Sequence, residues 1–453
     1  MMRNHGRLVL VPCPYQGHIS PMLQLGTCLQ SLGFSVTVVQ TNYNSPKHLN
    51  HPNLTFLSIP DGLSDDEISS GYHTSLVLAI NVNCLAPLEE CLVRMMKNQQ
   101  PHEELVGVIY DELMYFAEVV ANRLELPSII FRTNNAATFR SRDFLLQLMI
   151  GGHLPFSDSA SQELVPGHYP LKFKDLPISN FGISENILQA LTNMRNIRTS
   201  SAVIWNTTDS LEESPLAQIK QECPVPIFSV GPIHKFDTAA SSSSLLEEDT
   251  SCITWLDKQA RKSVIYISLG SLASMNVSDF SEMAWGLANS RQLFLWVVRP
   301  GSVIGSEWVE SLTNDYKEAV QSRGCIVQWA PQKQVLRHEA VGLFWTHCGW
   351  NSTLESICEG VPMICSPFFG DQKVTARYVS EVWRVGTHME NKWERGEIEK
   401  IIRMLMADDE GEETRQRAID LKNKVEACAR EGGSSYNSVK KLVDFIMSLK
   451  LRD

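Results

Sequence analysis

The sequence predicts an α/β protein of two domains, each a parallel sheet wrapped by helices. Three observations carry that expectation. The chain has 453 residues, more than one hydrophobic core usually serves. Short apolar runs alternate with amphipathic stretches along most of it, the pattern of successive βαβ units. A serine-rich, acidic stretch with little to bury, residues 236–251, divides that alternation in two. The expected organisation is a first domain over 1–235, the linker at 236–251, a second domain over 252–433 and a terminal helix over 434–453.

Taken in order, Arg7–Val11 is a short apolar strand and Pro12–His18 a loop. Ser20 reads as the N-cap of a helix with Pro21 at its first position. Met22, Leu25 and Leu29 give that helix an apolar stripe, Gly33 ends it, and Ser35–Val39 is the next strand. A strand, a helix and a second strand so close together imply parallel pairing. Further strands are expected at Leu54–Ser58, Val106–Tyr110, Ser128–Phe131, Ala202–Asn206 and Ile227–Val230. Ser157–Asn180, rich in Pro, Ser and Gly, reads as loop with short helices. Beyond the linker the strands are Val264–Ser268, Leu293–Val298, Cys325–Val327, Val341–Thr346 and Pro362–Ser366. Gly270 and Ser271 stand at the start of a helix after the first of these. Ser352 heads a Ser-Thr-Leu-Glu capping box with Glu355, and Gly360 and Pro362 stop that helix. A strand feeding a helix whose first turn carries Gly349, Asn351 and Ser352 is the layout of a phosphate site. Ser434–Leu449 is amphipathic, with Val439, Leu442, Val443, Ile446 and Leu449 on one side.

Composition excludes several functions. A formal charge of −11 with no basic tract argues against a nucleic-acid partner. Eleven scattered cysteines without a Cys-x-x-Cys pair suit a reducing compartment and small buried thiols. No run of about 18 apolar residues suggests a membrane span, and Leu8–Val11 is too short for a secretory signal. A cytoplasmic monomer is expected, and the Asn-x-Ser/Thr sequons at Asn53, Asn206, Asn276 and Asn351 should stay bare.

The stretch Trp329–Gln372, WAPQKQVLRHEAVGLFWTHCGWNSTLESICEGVPMICSPFFGDQ, resembles the signature box of the plant UDP-sugar-dependent glycosyltransferases over its full length. The resemblance implies the GT-B fold: two Rossmann-like domains facing a cleft, with the last helix crossing back to the first domain. It implies that Trp329, with Ala330 beside it, stacks on uracil, that Gln332 reads the nucleoside and that Glu355 accepts the ribose hydroxyls. His347, Gly349, Asn351, Ser352 and Ser271 would hold the diphosphate. Trp350, Asp371 and Gln372 would meet the sugar, with Thr133 reaching it from the first domain. Gln372 resembles the residue of glucose users, so UDP-glucose is the expected donor. No Asp-x-Asp pair and no His/Cys cluster with metal spacing occurs, so transfer without a metal or other cofactor is expected.

An acceptor hydroxyl must lose a proton as it attacks, and an imidazole suits that task. His18, at the carboxyl end of the first strand, sits in a Gly-His-Ile-Ser-Pro context resembling the family's catalytic loop. Asp111, at the end of the Val106–Tyr110 strand, resembles the partner carboxylate that orients such a ring. Glu112 beside it is read as surface charge, and the acidic runs at 65–67 and 408–410 as solvated loops. Tyr15, Leu85, Met114, Phe116, Phe139 and the Asn180–Leu191 stretch would line an acceptor pocket for a small apolar or aromatic molecule: terpenoid, phenolic or hormone-like. Core packing explains the same residues equally well. Inverting transfer is the leading expectation. A nicotinamide-dependent oxidoreductase is opposed by the lack of any Gly-x-Gly-x-x-Gly turn. A non-catalytic UDP-sugar binder is opposed by the presence of both His18 and Asp111.

Overall fold

In the computed structural model the described residues are all but 1–4, 46–50, 101–102, 155–157, 178–184, 198, 237–243, 307–312, 321–322, 391–392 and 450–453. Much of the serine-rich divider and the start of the Asn180–Leu191 stretch therefore lie outside them.

The first unit comprises Met1–Pro155, Ile178–Leu245 and Ala427–Asp453. Its strands are β1 (Arg7–Val11), β2 (Ser35–Thr41), β3 (Thr55–Ile59), β4 (Leu105–Asp111), β5 (Ser128–Arg132), β6 (Ala202–Trp205) and β7 (Ile227–Ser229). They form one sheet in the order β3-β2-β1-β4-β5-β6-β7, every pair parallel. Both faces are buried, as parallel sheets require. Alternate residues of β1 show it: Leu8 and Leu10 belong to one core cluster, Val9 and Val11 to the other. The terminal helix Ser434–Leu449 belongs to this unit. Its Val439, Leu442 and Ile446 enter the Leu8 cluster, and Ser435 Oγ donates to the Gly231 carbonyl at 2.6 Å.

The first helix departs from its expected start. It spans Gln16–Ser31 with Tyr15 as N-cap, so Ser20 is not the cap and Pro21 lies inside. Gln16 Nε2 donates to Ser20 Oγ at 2.6 Å, which engages the hydroxyl that capping would have used. His18 consequently sits in the first helical turn, its N–H donating to the Tyr15 carbonyl at 2.8 Å, rather than in a loop.

The second unit comprises Phe156–Pro177 and Leu246–Glu426. Its strands β8 (Val264–Ser268), β9 (Leu293–Val297), β10 (Gly324–Val327), β11 (Val341–Thr346), β12 (Met363–Cys365) and β13 (Gly386–His388) run parallel in the order β10-β9-β8-β11-β12-β13. Residues 156–177, expected in the first domain, group here instead. A buried bidentate pair helps to tie them there: Arg377 Nε and Nη2 donate to the two Asp175 oxygens at 2.9 and 3.1 Å. β13, whose Gly-Thr-His sequence has no apolar residue to announce it, was not anticipated. The acidic runs also differ from expectation. Asp65–Ser69 is a helix capped by Ser64, and Asp409 opens another, so both place carboxylates at a helix's positive end.

No single helix among the described residues is long and apolar enough to cross a membrane. The bent pair His73–Asn83 and Leu85–Lys97 passes by length and composition, but Ile80, Leu88 and Leu92 on it are core residues.

Candidate active site

In each sheet the strand order reverses direction once, between β1 and β4 in the first and between β8 and β11 in the second. Ligands of open α/β sheets bind at such switch points, beyond the carboxyl ends of the strands. His18 and Asp111 lie at the first, and Ser271, His347 and the start of the helix at Trp350 at the second.

In the first unit β1 leads into the helix carrying His18, and β4 ends on Asp111. His18 Nδ1 meets Asp111 Oδ2 at 2.8 Å and Thr133 Oγ1 at 3.0 Å. Asp111 is fully buried, whereas the His18 side chain is 26% exposed. A proton on Nδ1 therefore faces two oxygen acceptors, and the basic lone pair belongs to Nε2. The register explains the convergence. Asp111 pairs with Phe131, so Thr133, two residues on, lies on the same face. Glu112 and Arg132 occupy the opposite face as a buried ion pair at 3.5 Å. Glu112 is thus an interior residue, not surface charge; Asn134 and Arg142 also donate to it. The turn after Asp111 is pinned by buried Asn81, which donates to the Leu113 carbonyl at 2.7 Å and accepts the Phe116 N–H at 2.9 Å.

That turn draws two expected acceptor-lining residues inward. Met114 and Phe116 are 0% and 1% exposed members of the core and offer no surface to a ligand. Tyr15 is nearly buried, packed edge-on against His73 with centroids 5.2 Å apart. Leu85 and Phe139 are partly exposed. Phe139 stands perpendicular to Trp205 with the Arg132 guanidinium 3.9 Å from its centroid.

In the second unit the helix Trp350–Glu359 begins two residues before Ser352, with Gly349 as N-cap. The capping-box expectation at Ser352 is therefore corrected. Gly349 supplies the cap carbonyl, accepting the Thr353 N–H at 3.0 Å, and Ser352 is a first-turn residue. Trp350, Asn351 and Ser352 thus carry the amides that precede the first helical bond, at the positive end of the dipole. Gly360, at φ 69°, ends the helix as expected. The His347 ring is wedged beside the cap. A Cβ on Gly349 would lie 2.5 Å from His347 Nε2, and one on Gly270 2.6 Å from it. Gly270 also has φ +81°, so glycine is required there twice over. Burial lowers the His347 pKa to about 4, which keeps the ring neutral at pH 7. Ser271 follows Gly270 on a loop; the helix itself starts later, at Val277, capped by Asn276.

Gln332 joins three partners. Its Nε2 donates to Glu355 Oε2 at 2.7 Å and to Ser352 Oγ at 2.9 Å, while its Oε1 accepts the Tyr266 hydroxyl at 3.2 Å. Burial raises the Glu355 carboxyl. Trp329 and Ala330 follow β10, Trp329 partly exposed and Ala330 buried. The Trp350 indole is only 3% exposed and packs on Trp383 at 6.2 Å, so its ring offers almost no surface to a ligand. Asp371 opens the next helix after Gly370, and Gln372 Oε1 accepts the Phe368 and Phe369 amides at 2.8 and 3.2 Å. Thr133's contact to His18, the Tyr266 support of Gln332 and the Asn81 pin escaped the sequence reading. Only the strand alternation that puts Thr133 beside Asp111 was there to be read.

The family model described as "UDP-glucoronosyl and UDP-glucosyl transferase" matches residues 231–417. UDP-glycosyltransferase 76E1 of Arabidopsis thaliana is 47% identical over 98% of this chain and 97% of its own. The chain belongs to the plant family-1 UDP-dependent glycosyltransferases. Flavonol 3-O-glucosyltransferase UGT76E12 of the same plant is also 47% identical, over 98% of this chain and 97% of its own. Among solved structures, Phytolacca americana UGT2 complexed with UDP-2fluoro-glucose and pterostilbene superposes with a TM-score of 0.82 at 26% identity, covering 97% of this chain and 99% of that one. Os79 from O. sativa in complex with UDP gives 0.82 at 25% identity, covering 98% and 100%. This glycosyltransferase has the GT-B fold, with each of its two Rossmann-like domains built on one of the sheets above.

Proposed function

We propose that the enzyme transfers glucose from UDP-glucose to a hydroxyl, carboxyl or amine of a small plant metabolite, with inversion and without a metal ion. The observation that carries this reading is the buried Asp111 carboxylate 2.8 Å from Nδ1 of the partly exposed His18 ring. The acceptor O–H gives its proton to His18 Nε2 as its oxygen attacks the anomeric carbon from the face opposite UDP. The bond from that carbon to the β-phosphate oxygen breaks, UDP leaves with the electron pair, and an α-linked donor becomes a β-glycoside. Asp111 and Thr133 stabilise the imidazolium that forms.

The donor side needs compensation for the charge of the departing diphosphate. The Trp350 helix terminus supplies about 0.3–1 kcal/mol at an exposed site and up to ~2 when partly buried, and the first-turn amides with Ser352 and Ser271 add hydrogen bonds. Neutral His347 acts there as a hydrogen-bonding group rather than a counter-charge. Gln332 fixes Oε2 of Glu355, leaving Oε1 to accept the ribose diol, and Trp329 offers its ring to uracil. Asp371 and Gln372 meet the sugar.

Aromatic alcohols are the favoured acceptors, because a flavonol glucosyltransferase is among the near relatives and pterostilbene, a phenolic stilbene, is named with a solved neighbour. The free cysteines suit work in the reducing cytoplasm. Incubation with UDP-glucose and a panel of phenolic, terpenoid and hormone-like acceptors tests the proposal. UDP release matched by a product one hexose heavier, β-linked by NMR and unaffected by a chelator, is expected. No product with any acceptor, an α-linkage, or activity lost to chelator and restored by Mg²⁺ would overturn it.

A further inference from the structure

The base at His18 leaves one neighbouring group unused. Among the described residues, Cys13, His18 and Asp111 are the one set of three whose sulfur, ring nitrogen and carboxylate oxygen all lie within 4.8 Å of one another. Cys13 follows β1 at 0% exposure, Asp111 ends β4 at 0%, and the His18 ring, 26% exposed, joins them to solvent. Proton transfer uses the histidine and the carboxylate; it gives the thiol nothing to do.

We infer that Cys13, His18 and Asp111 form a binding site for Zn²⁺ or a similar thiophilic divalent cation, and that an ion held there switches the transferase off. One sulfur, one imidazole nitrogen and one carboxylate oxygen, with a fourth position left for water, is a donor set Zn²⁺ accepts. Zinc–ligand bonds of about 2.0–2.3 Å put tetrahedral donor atoms about 3.3–3.8 Å apart. The three atoms here lie within 4.8 Å of one another, so the sulfur must draw in by up to about an ångström, and the 2.8 Å contact between Nδ1 and Oδ2 must open by about half an ångström. Mg²⁺ and Ca²⁺, which want oxygen shells, do not fit a thiol. A thiolate and a carboxylate together also cancel the charge of a divalent ion, so the occupied site is neutral in a buried place.

The proton balance explains the inhibition. Binding releases the Cys13 thiol proton to solvent. The metal takes the Nδ1 lone pair, and the proton that Nδ1 held passes to Nε2. Nothing is oxidised or reduced. Nε2 then carries a hydrogen and cannot receive one from an acceptor. The inhibition rests on His18 being the base; the binding itself does not.

Co²⁺ is the probe, because a thiolate bound to it gives a charge-transfer band in the near ultraviolet. The full-length protein should show that band on Co²⁺ addition and lose it when Zn²⁺ is added. Cys13→Ser and His18→Ala should each abolish the band. Zn²⁺ should inhibit the wild type, and for Cys13→Ser, measured against its own chelated rate, the inhibition should need roughly tenfold more Zn²⁺ or beyond. No band in the wild type, a band surviving in either variant, or equal zinc sensitivity of wild type and Cys13→Ser would overturn the site. Should Cys13→Ser fail to fold, the partly exposed His18→Ala decides by the band alone. Transfer by the chelated enzyme with no band on Co²⁺ addition sinks this inference and leaves the transferase reading standing; a band with no transfer even by the chelated enzyme sinks the transferase reading, and the switch with it, and leaves the binding site standing.

Discussion

At the scale of single residues, the chemistry depends on how His18 is held. Its Nδ1 has two oxygen neighbours, and they are unequal. Asp111 is a buried charge, while Thr133 is a neutral hydroxyl at 3.0 Å. Asp111→Asn removes the charge that stabilises the imidazolium, and kcat/KM should fall roughly 10²–10⁴-fold. Thr133→Val should cost no more than about tenfold, the worth of a neutral hydrogen bond of about 0.5–1.5 kcal/mol. Progress curves for UDP release with both variants order the two contributions; an equal loss would contradict this account. Gly349→Ala tests the other end of the reaction. Its Cβ would meet the His347 ring at 2.5 Å, so ring or helix cap must shift, and UDP affinity should fall by about tenfold or more in calorimetry. At this scale the sequence was legible where a residue type has one job. His18 and Asp111 were paired by their resemblance to the family's catalytic loop and partner carboxylate, to which their places at strand ends added support. Met114 and Phe116 could not be placed, because an apolar side chain looks the same in a core as in a pocket. The direction of the turn after Asp111, set by buried Asn81, decided that.

At the scale of elements, each site is a strand end meeting a helix start. The Trp350 helix is tied to its neighbours through Gln332, which links the Glu355 carboxylate to the Tyr266 hydroxyl on β8. Gln332→Ala should raise KM for UDP-glucose more than it lowers kcat, because it frees Glu355 without touching the reacting atoms. A pure kcat effect would assign Gln332 a different role. The Arg377–Asp175 pair ties residues 156–177 to the second unit, with both side chains at most 4% exposed. Asp175→Ala should destabilise that unit by about 3 kcal/mol, the low end for a broken buried pair, since Glu390 still pairs with Arg377 at 2.7 Å. Urea unfolding followed by tryptophan fluorescence measures it. Long apolar runs such as Val341–Thr346 were legible because buried parallel strands leave little else to fit. Helix starts were less so. Ser20 and Ser352 both look like caps, but their hydroxyls are engaged by Gln16 and Gln332, and the helices begin earlier. β13, a three-residue edge strand, carries no pattern at all.

For the whole molecule, the same burial that shapes the second unit predicts its response to acid. His347 and His388 are each lowered to about 4, by desolvation first and, for His388, by Arg377 next. Their unfolded pKa lies near ~6.5, so between those values the unfolded chain binds more protons than the folded one. Stability present above pH ~6.5 is therefore lost as pH falls toward 4, with up to two protons taken up on unfolding. Glu355, raised by burial, works the opposite way and softens the slope. His388→Asn should remove one proton from that uptake, read from urea midpoints across the range. The gross architecture was legible from alternation and length, since two parallel sheets follow from repeated βαβ units. Membership of residues 156–177 was not, because long-range ion pairs such as Arg377–Asp175 and Lys174–Glu390 leave no local trace. The most direct test of the central claim is the rate of UDP release by His18→Ala, with UDP-glucose binding measured on the same sample. We predict a loss of roughly 10²–10⁴-fold with binding unchanged; a rate close to the wild type's would show that some other group takes the proton.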